Sequence, residues 1–372
     1  MAESTRATVV HLTAVHPADD VRIFAKECRT LAKAGYEVHL VAPAPHDELV
    51  DGVRLHAIQR TATSRLSRMT GTVRAVYRKA IELDADIYHV HDPELMPVAL
   101  LLRARGRKVI YDSHEHLPQQ IRTKPWIPSA LRRPLARLAD VVERTAARSL
   151  AAVVTAEPYV QDRFLGRAPA VVTVNNYPML EEFPKLPADW SQKEAAVCYV
   201  GSITELRGAR EMVAAIEQTE AKLLLAGRFS PADLEAQLAD QPGWGQVEFL
   251  GQVAREALTA MLKRARAGLV VLHPVPNYVD ANPTKMFEYM SAGIPVIASD
   301  FPAWASIVNR HACGICVDPT SPVEIARAIE WMLEHADEAR EMGENGRHAV
   351  RTTYRWEPEG RKLTALYRTI LH

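Results

Sequence analysis

Short apolar runs alternate with helix-patterned stretches along nearly the whole chain, and that alternation restricts the fold more than any other feature. In the first half the strand-length runs are TVVHLT (8–13), EVHLVA (37–42), VRLHAI (53–58), DIYHV (86–90), KVIY (108–111), AAVVT (151–155) and AVVTV (170–174). Most are apolar on both faces, as strands covered by helices on both sides must be. Between the first two, Val21, Phe24, Cys28 and Leu31 fall on one helical stripe, with Gly35 placed to stop it. The rhythm resumes with AVCYVG (196–201), KLLLA (222–226), VEFL (247–250), GLVVL (268–272), IPVIA (294–298) and GICVD (314–318). Strand–helix alternation in both halves implies an α/β fold of two doubly wound parallel sheets.

A segment rich in proline and charge, NYPMLEEFPKLPADWSQKE (176–194), separates the halves and reads as a linker. At 372 residues the chain is too long for one ordinary core. The expected organisation is a domain over 1–178, a linker over 179–194, a second domain over 195–350, and a C-terminal helix over 351–372 that returns to the first domain. Residues 1–180 carry 25 Lys and Arg against 19 Asp and Glu, and residues 181–372 carry 20 against 26. A basic half joined to an acidic half suits a protein with two different small-molecule partners, and the overall neutrality gives no reason to expect nucleic acid.

No apolar run approaches the roughly 18–20 residues of a membrane-spanning helix. The opening residues lack the apolar stretch of a signal peptide, so a cytoplasmic protein is expected. The four cysteines do not form a disulfide framework, consistent with a reducing compartment. Cys313 and Cys316 form a C-x-x-C, but with His311 as the one nearby further ligand they read as small apolar residues at a turn and strand start.

In sheets of this kind ligands bind beyond the carboxyl ends of the strands. In the second half NPTKMFEYMSAGIPVIASD (282–300) reads as a loop, a helix with Pro283 in its first turn, a stop at Gly293 and a buried strand. Lys285 and Glu288 stand one turn apart, either as an ordinary surface pair or as a cation and a carboxylate facing a diphosphate and a ribose diol. In VCYVGSITELRGAREM (197–212) a strand ends at Gly201, and Arg207-Gly208 precede a helix. A guanidinium there suits forked contacts with phosphate oxygens.

On these two stretches the chain resembles family 4 of the retaining nucleotide-sugar glycosyltransferases, which have the GT-B fold of two facing Rossmann-like domains with a cleft between them. The strand-G-x-x-x-x-x-[KR]-G pattern matches Gly201 to Gly208, with Arg207 where lysine is usual and Ser202 where an arginine often stands. The family's acidic pair matches Asp280 and Glu288, with Asn282 and Thr284 in the segment between them. The resemblance implies that Glu288 holds the ribose, Asp280 lies near the donor sugar, and Arg207 and Lys285 take the diphosphate. Gly251 to Val253 would meet the nucleobase through backbone groups.

The first half, as acceptor domain, departs further from the family. The loop after the first strand, TAVHPADDVRIF (13–24), has no glycine and offers His16, Asp19, Asp20 and Arg22 as sugar contacts, or Asp19 or Asp20 as helix caps. KVIYDSHEHLP (108–118) puts His114 where the family has a histidine facing the reacting sugar, with Glu115 and His116 beside it. DIYHVHDPELMP (86–97) supplies His89, His91 and Asp92. His91 is a further sugar-contact candidate. Read without the family, His-x-His beyond a strand is also a metal signature whose remaining ligands are not evident. Basic residues within 60–79, and basic, apolar and aromatic residues within 122–138 including Trp126, Ile127 and Leu131, suit either a solvated face or peripheral contact with an anionic membrane.

The resemblance implies retaining, front-face transfer from a UDP- or GDP-sugar to a saccharide, lipid-linked saccharide or small-molecule acceptor, without metal or other cofactor. The rival readings are a nucleotide-sugar 2-epimerase of the same fold, a metal-dependent amidohydrolase built on His89 and His91, and a non-catalytic sugar-nucleotide binder.

Overall fold

The computed structural model describes residues 6–59, 65–124, 127–182, 190 and 193–372. Trp126, the start of the basic stretch at 60–64, and most of the expected linker lie outside the described residues. The chain divides into two compact units. The first comprises Met1–Asn176 with Trp356–His372, and the second Tyr177–Arg355.

The first unit is built on eight strands: β1 (Thr8–Leu12), β2 (Glu37–Pro43), β3 (Glu48–Val50), β4 (Val53–Ile58), β5 (Ile87–Val90), β6 (Lys108–Ser113), β7 (Ala152–Thr155) and β8 (Val171–Thr173). They are ordered β3-β4-β2-β1-β5-β6-β7-β8. All pairings are parallel except that between β3 and β4, a short edge hairpin. Its strand ELV carries exposed residues and too few apolar positions to signal itself in the sequence. The core between sheet and helices includes Val10, Leu12, Val41, Tyr88, Val90 and Leu102, all buried.

The second unit holds β9 (Ala196–Val200), β10 (Lys222–Ala226), β11 (Val247–Gly251), β12 (Ala267–Val270), β13 (Val296–Ser299) and β14 (Gly314–Val317). These are ordered β11-β10-β9-β12-β13-β14 and all parallel. Helices cover both faces, giving two apolar layers: one centred on Met286, Phe287, Met290 and Trp304, the other on Met212, Ile216, Ile325 and Ile329. Two open sheets exclude the closed barrel that an amidohydrolase would need. Cys313 is buried just before β14 and Cys316 lies in it. Burial pushes both thiols up, to about 12 and about 11, so they are inert packing groups.

The helix after β1 differs from its expected form. It is π-wound over Val21–Cys28 and continues as an α-helix over Arg29–Lys33, ending near Gly35 at φ 97°. Its buried side holds only the second half of the expected stripe. Cys28 and Leu31 are buried, but Val21 is exposed and Phe24 half-buried, and Arg22, Lys26 and Glu27 turn inward instead. The wider winding turns charged residues inward, where each charge meets a partner or a neighbouring charge: Arg22 meets Asp112, and Lys26 Nζ lies 2.6 Å from Asn176 Oδ1.

Candidate functional site

In each sheet the winding direction reverses at one place, between β1 and β5 in the first unit and between β9 and β12 in the second. Loops at such a reversal diverge and leave a crevice beyond the strand ends.

In the second unit β9 ends at Gly201, with φ 124°. A turn over Glu205–Arg207 then leads through Gly208 into the helix Ala209–Ile216. Gly208 sits at φ 74°, and a Cβ there would lie 2.2 Å from the Val271 carbonyl oxygen, so this entry admits glycine alone. The helix Thr284–Ala292 delivers Lys285 to the same place. Pro283 is its N-cap in extended conformation rather than a first-turn residue, and Gly293 ends it at φ 73°.

Gly201, Arg207 and Lys285 converge. A Cβ on Gly201 would lie 3.5 Å from Lys285 Nζ and 3.7 Å from Arg207 Nη1. Below them Tyr199 presents its ring, with Lys285 Nζ 3.7 Å from the centroid. The stem of Lys285 is half-exposed, but Nζ itself is out of solvent and has no hydrogen-bond partner among the described residues. Burial and the nearby Arg207 hold its pKa well below the usual lysine value, with Glu288 opposing them. Burial also works against the Arg207 charge, yet Tyr199 and Tyr278 raise its pKa on balance. Two cations held together over a bare glycine form a site for a multiply charged anion.

The other expected residues surround this pair unequally. Asn282, Thr284 and Glu288 are half-buried, while Ser202 and Asp280 are exposed. Asp280 closes the short helix Pro276–Val279, and the next carbonyl, of Ala281, accepts a 2.6 Å hydrogen bond from Trp304 Nε1. Gly251 ends the edge strand β11 at φ 66°, and Val253 is half-buried just beyond.

In the first unit Asp92, directly after β5, shapes the glycine-free loop. Its Oδ2 accepts from Thr13 Oγ1 at 2.9 Å and from the amides of Ala14 and Val15. His16 stands over this loop, with Nδ1 3.1 Å from Asp20 Oδ2 and Nε2 3.6 Å from Asp92 Oδ1. Burial alone would lower the His16 pKa, but Asp20 and Asp92 outweigh it and raise it. Asp20 also caps the π-wound helix by accepting from the amides of Arg22 and Ile23. Asp19 is exposed and outside this group.

His114 lies just past β6 and is partly exposed, with Nε2 3.2 Å from Asp112 Oδ2. Asp112 is fully buried and gripped by the Arg22 guanidinium at 3.0–3.1 Å. Burial would raise the Asp112 pKa, but Arg22 and His114 hold it well below the usual range. Arg22 and His91, both expected as sugar contacts, are buried. Arg22 is enclosed by Asp112 and the Val174 carbonyl, and His91 is stacked on His11 and meets His114 edge-on, with no exposed side chain. Glu115 is exposed beside them. Asp112 and Tyr199 were missed as site residues. Asp112 and Tyr199 end or sit within buried strands beside the named residues, which is the signal that marked their neighbours.

Residues 183–349 match the family described as Glycosyl transferases group 1, and residues 21–177 match the Glycosyl transferase 4-like domain. A D-rhamnosyltransferase of Pseudomonas aeruginosa is 26% identical over 88% of this chain and 86% of its own length. A phosphatidyl-myo-inositol mannosyltransferase of Mycolicibacterium smegmatis is 24% identical over 91% and 87%. Among solved structures, sucrose-phosphate synthase from Thermosynechococcus elongatus shares the fold, with a TM-score of 0.81 at 20% identity over 98% of this chain and 99% of that one. HepE of Anabaena, in complex with UDP-glucose, has a TM-score of 0.72 at 14% identity over 98% and 100%. With both halves matched and a doubly wound parallel sheet in each of two units, as in GT-B glycosyltransferases, the chain belongs to family 4 of the glycosyltransferases.

Proposed function

We propose that the protein is a retaining hexosyltransferase that moves a sugar from a UDP- or GDP-sugar to a saccharide or lipid-linked saccharide acceptor. The observation that carries this reading is the pair of cations, Arg207 and Lys285, converging over Gly201, with the Lys285 ammonium unpartnered. Such a pair is matched to a diphosphate, whose charge grows as the bond to the sugar breaks. A preorganised donor aimed at that charge contributes roughly 3–4 kcal/mol to lowering the barrier. In front-face transfer the acceptor oxygen bonds to the anomeric carbon on the side the diphosphate leaves. The leaving phosphate oxygen takes the acceptor proton, so no divalent ion is required for the chemistry. Glu288 would hold the ribose, Asp280 would contact the donor sugar, and His114, oriented by Asp112, would face the reacting sugar. The UDP-glucose complex of a protein with the same fold supports a nucleotide-sugar donor.

A lipid-linked acceptor is favoured by a groove of about 470 Å³ between the helices Leu117–Thr123 and Ser129–Ala147. Leu131, Leu135 and Leu138 line it and remain exposed, with Arg133 and Arg137 exposed on the same helix. A groove lined by exposed apolar side chains suits the burial of an acyl chain. The relative named a phosphatidyl-myo-inositol mannosyltransferase bears a lipid in its name. No helix among the described residues is long and apolar enough to cross a membrane, so contact would be peripheral. Under this proposal the protein works at the cytoplasmic membrane face.

The test is a thermal-shift series with UDP, GDP, ADP, TDP and CDP in the absence of added metal. One base should stabilise the protein in a concentration-dependent manner. No shift with any of them at millimolar concentration would remove the donor assignment.

A further inference from the structure

Beneath His114 the first unit contains a second constellation that the transfer reaction does not use. One ring nitrogen each of His11, His89 and His91 and a carboxylate oxygen of Glu27 lie within 4.8 Å of one another, and all four side chains are buried. We propose that these four residues bind one structural zinc ion.

The parallel sheet sets the arrangement. His11 and His89 are direct neighbours across β1 and β5, His91 follows on β5 with its amide on the Leu12 carbonyl, and the π-wound helix brings Glu27 over them. The measured edges between ligand atoms are 2.8 Å for His11–His91, 3.9 Å for each of His11–Glu27 and His89–Glu27, and 4.0 Å for His91–Glu27. Zinc–ligand distances of about 2.0–2.1 Å in a tetrahedron require edges of roughly 3.3 Å, a value these four edges bracket. Three imidazoles and a carboxylate with no exposed position make a closed, structural set.

Two further observations point to a cation. Neither oxygen of Glu27 has a hydrogen-bond partner among the described residues, although the carboxylate is fully buried. Its nearest cation, Arg22, is already bound to Asp112, with Nε 3.2 Å from Glu27 Oε1. Two of the three histidines also carry a partner on the second ring nitrogen, as metal-bound histidines do. Nε2 of His11 lies 3.2 Å from the Tyr367 hydroxyl, and Nδ1 of His91 lies 3.2 Å from His114 Nε2 and 3.5 Å from Asp112 Oδ2, whereas Nε2 of His89 has no hydrogen-bond partner among the described residues. With zinc on Nδ1 of His89, the hydroxyl of Tyr367, now 2.8 Å from that atom, would turn wholly to His11. The ion would tie together β1, β5, the π-wound helix and, through Tyr367, the C-terminal helix.

The test uses the unaltered protein, purified without chelator or histidine tag. One zinc per chain by mass spectrometry is expected. Dialysis against a chelator should lower Tm by several degrees, and equimolar Zn²⁺ should restore it. Cobalt loaded in its place should show the visible absorption of a four-coordinate site. Glu27→Gln, which keeps the shape of the side chain, should remain folded and retain less than a tenth of the metal. Metal-free protein whose Tm responds to neither chelator nor Zn²⁺ would overturn the proposal. Equal zinc content in the wild type and in Glu27→Gln would do the same for this ligand set. Neither outcome touches the donor reading, which nucleotide binding tests separately.

Discussion

Arg22 and Lys285 are both cations withdrawn from water, one in each unit, and their surroundings are opposite. Arg22 is saturated: Asp112 takes two of its nitrogens, the Val174 carbonyl a third, and Glu27 lies alongside. Lys285 faces an aromatic ring and another cation, and its ammonium has no acceptor among the described residues. A buried charge with all its partners organises structure, and one lacking them is poised for a ligand that supplies them.

The sharpest way to break this contrast is Arg22→Met. It leaves the Asp112 and Glu27 carboxyls without their guanidinium, so a loss of about 3–5 kcal/mol in denaturant unfolding is expected. A loss under 1 kcal/mol would mean that Arg22 is not structural. Lys285→Met should do the reverse. Removing an uncompensated buried charge should leave the Tm of the ligand-free protein unchanged or higher, while kcat/KM falls 100-fold or more, as roughly 3 kcal/mol of lost barrier reduction implies. A drop in Tm comparable to that of Arg22→Met would erase the distinction.

Protonation refines the comparison. Because the folded Lys285 pKa lies well below the unfolded value, the unfolded chain binds more protons between the two, and this residue makes stability rise with pH there. A diphosphate reverses the shift, so nucleotide binding in that pH window should take up a proton. Calorimetry in buffers of different ionisation enthalpy reads the uptake directly, and Lys285→Met should abolish it. The smallest effect concerns Asp20. Asp20→Ala removes the cap of the π-wound helix and should destabilise by about 1 kcal/mol, whereas Asp20→Asn, which can still cap, should lose only tenths. Equal losses would show that the charge on His16, not the cap, is what matters.

The sheets were legible because parallel strands covered on both faces have no disguise. The runs at 53–58 and 222–226 match their strands to the residue, and the others differ by a few residues at their ends. The convergence of Gly201 and Arg207 was legible because glycine and a cation before a helix form a local pattern. The histidine cluster was not, because its members are 78 residues apart in the case of His11 and His89, and only strand order joins them. Glu27 gave no signal, since one glutamate on a helix reads as solvated. A faint clue was present all the same: imidazoles at 11 and 89 interrupt strands whose other positions are apolar. The inward turn of Arg22 and Lys26 escaped for a related reason, since periodicity assumes α-winding and that helix begins π-wound.

Tyr289 lies flat on Gly268, where any Cβ would come within 2.2 Å of its ring, and its hydroxyl accepts a 3.0 Å hydrogen bond from the Val200 amide. The helix bearing Lys285 is thereby riveted to the strand end that presents Gly201, and the two walls of the anion site share one gauge. A side chain at 268, touching no substrate, would lift one wall from the other. Random mutagenesis scored for lost transfer should therefore recover position 268 among the residues of the site, mapping a hidden dimension of the pocket onto a residue in the floor of the sheet.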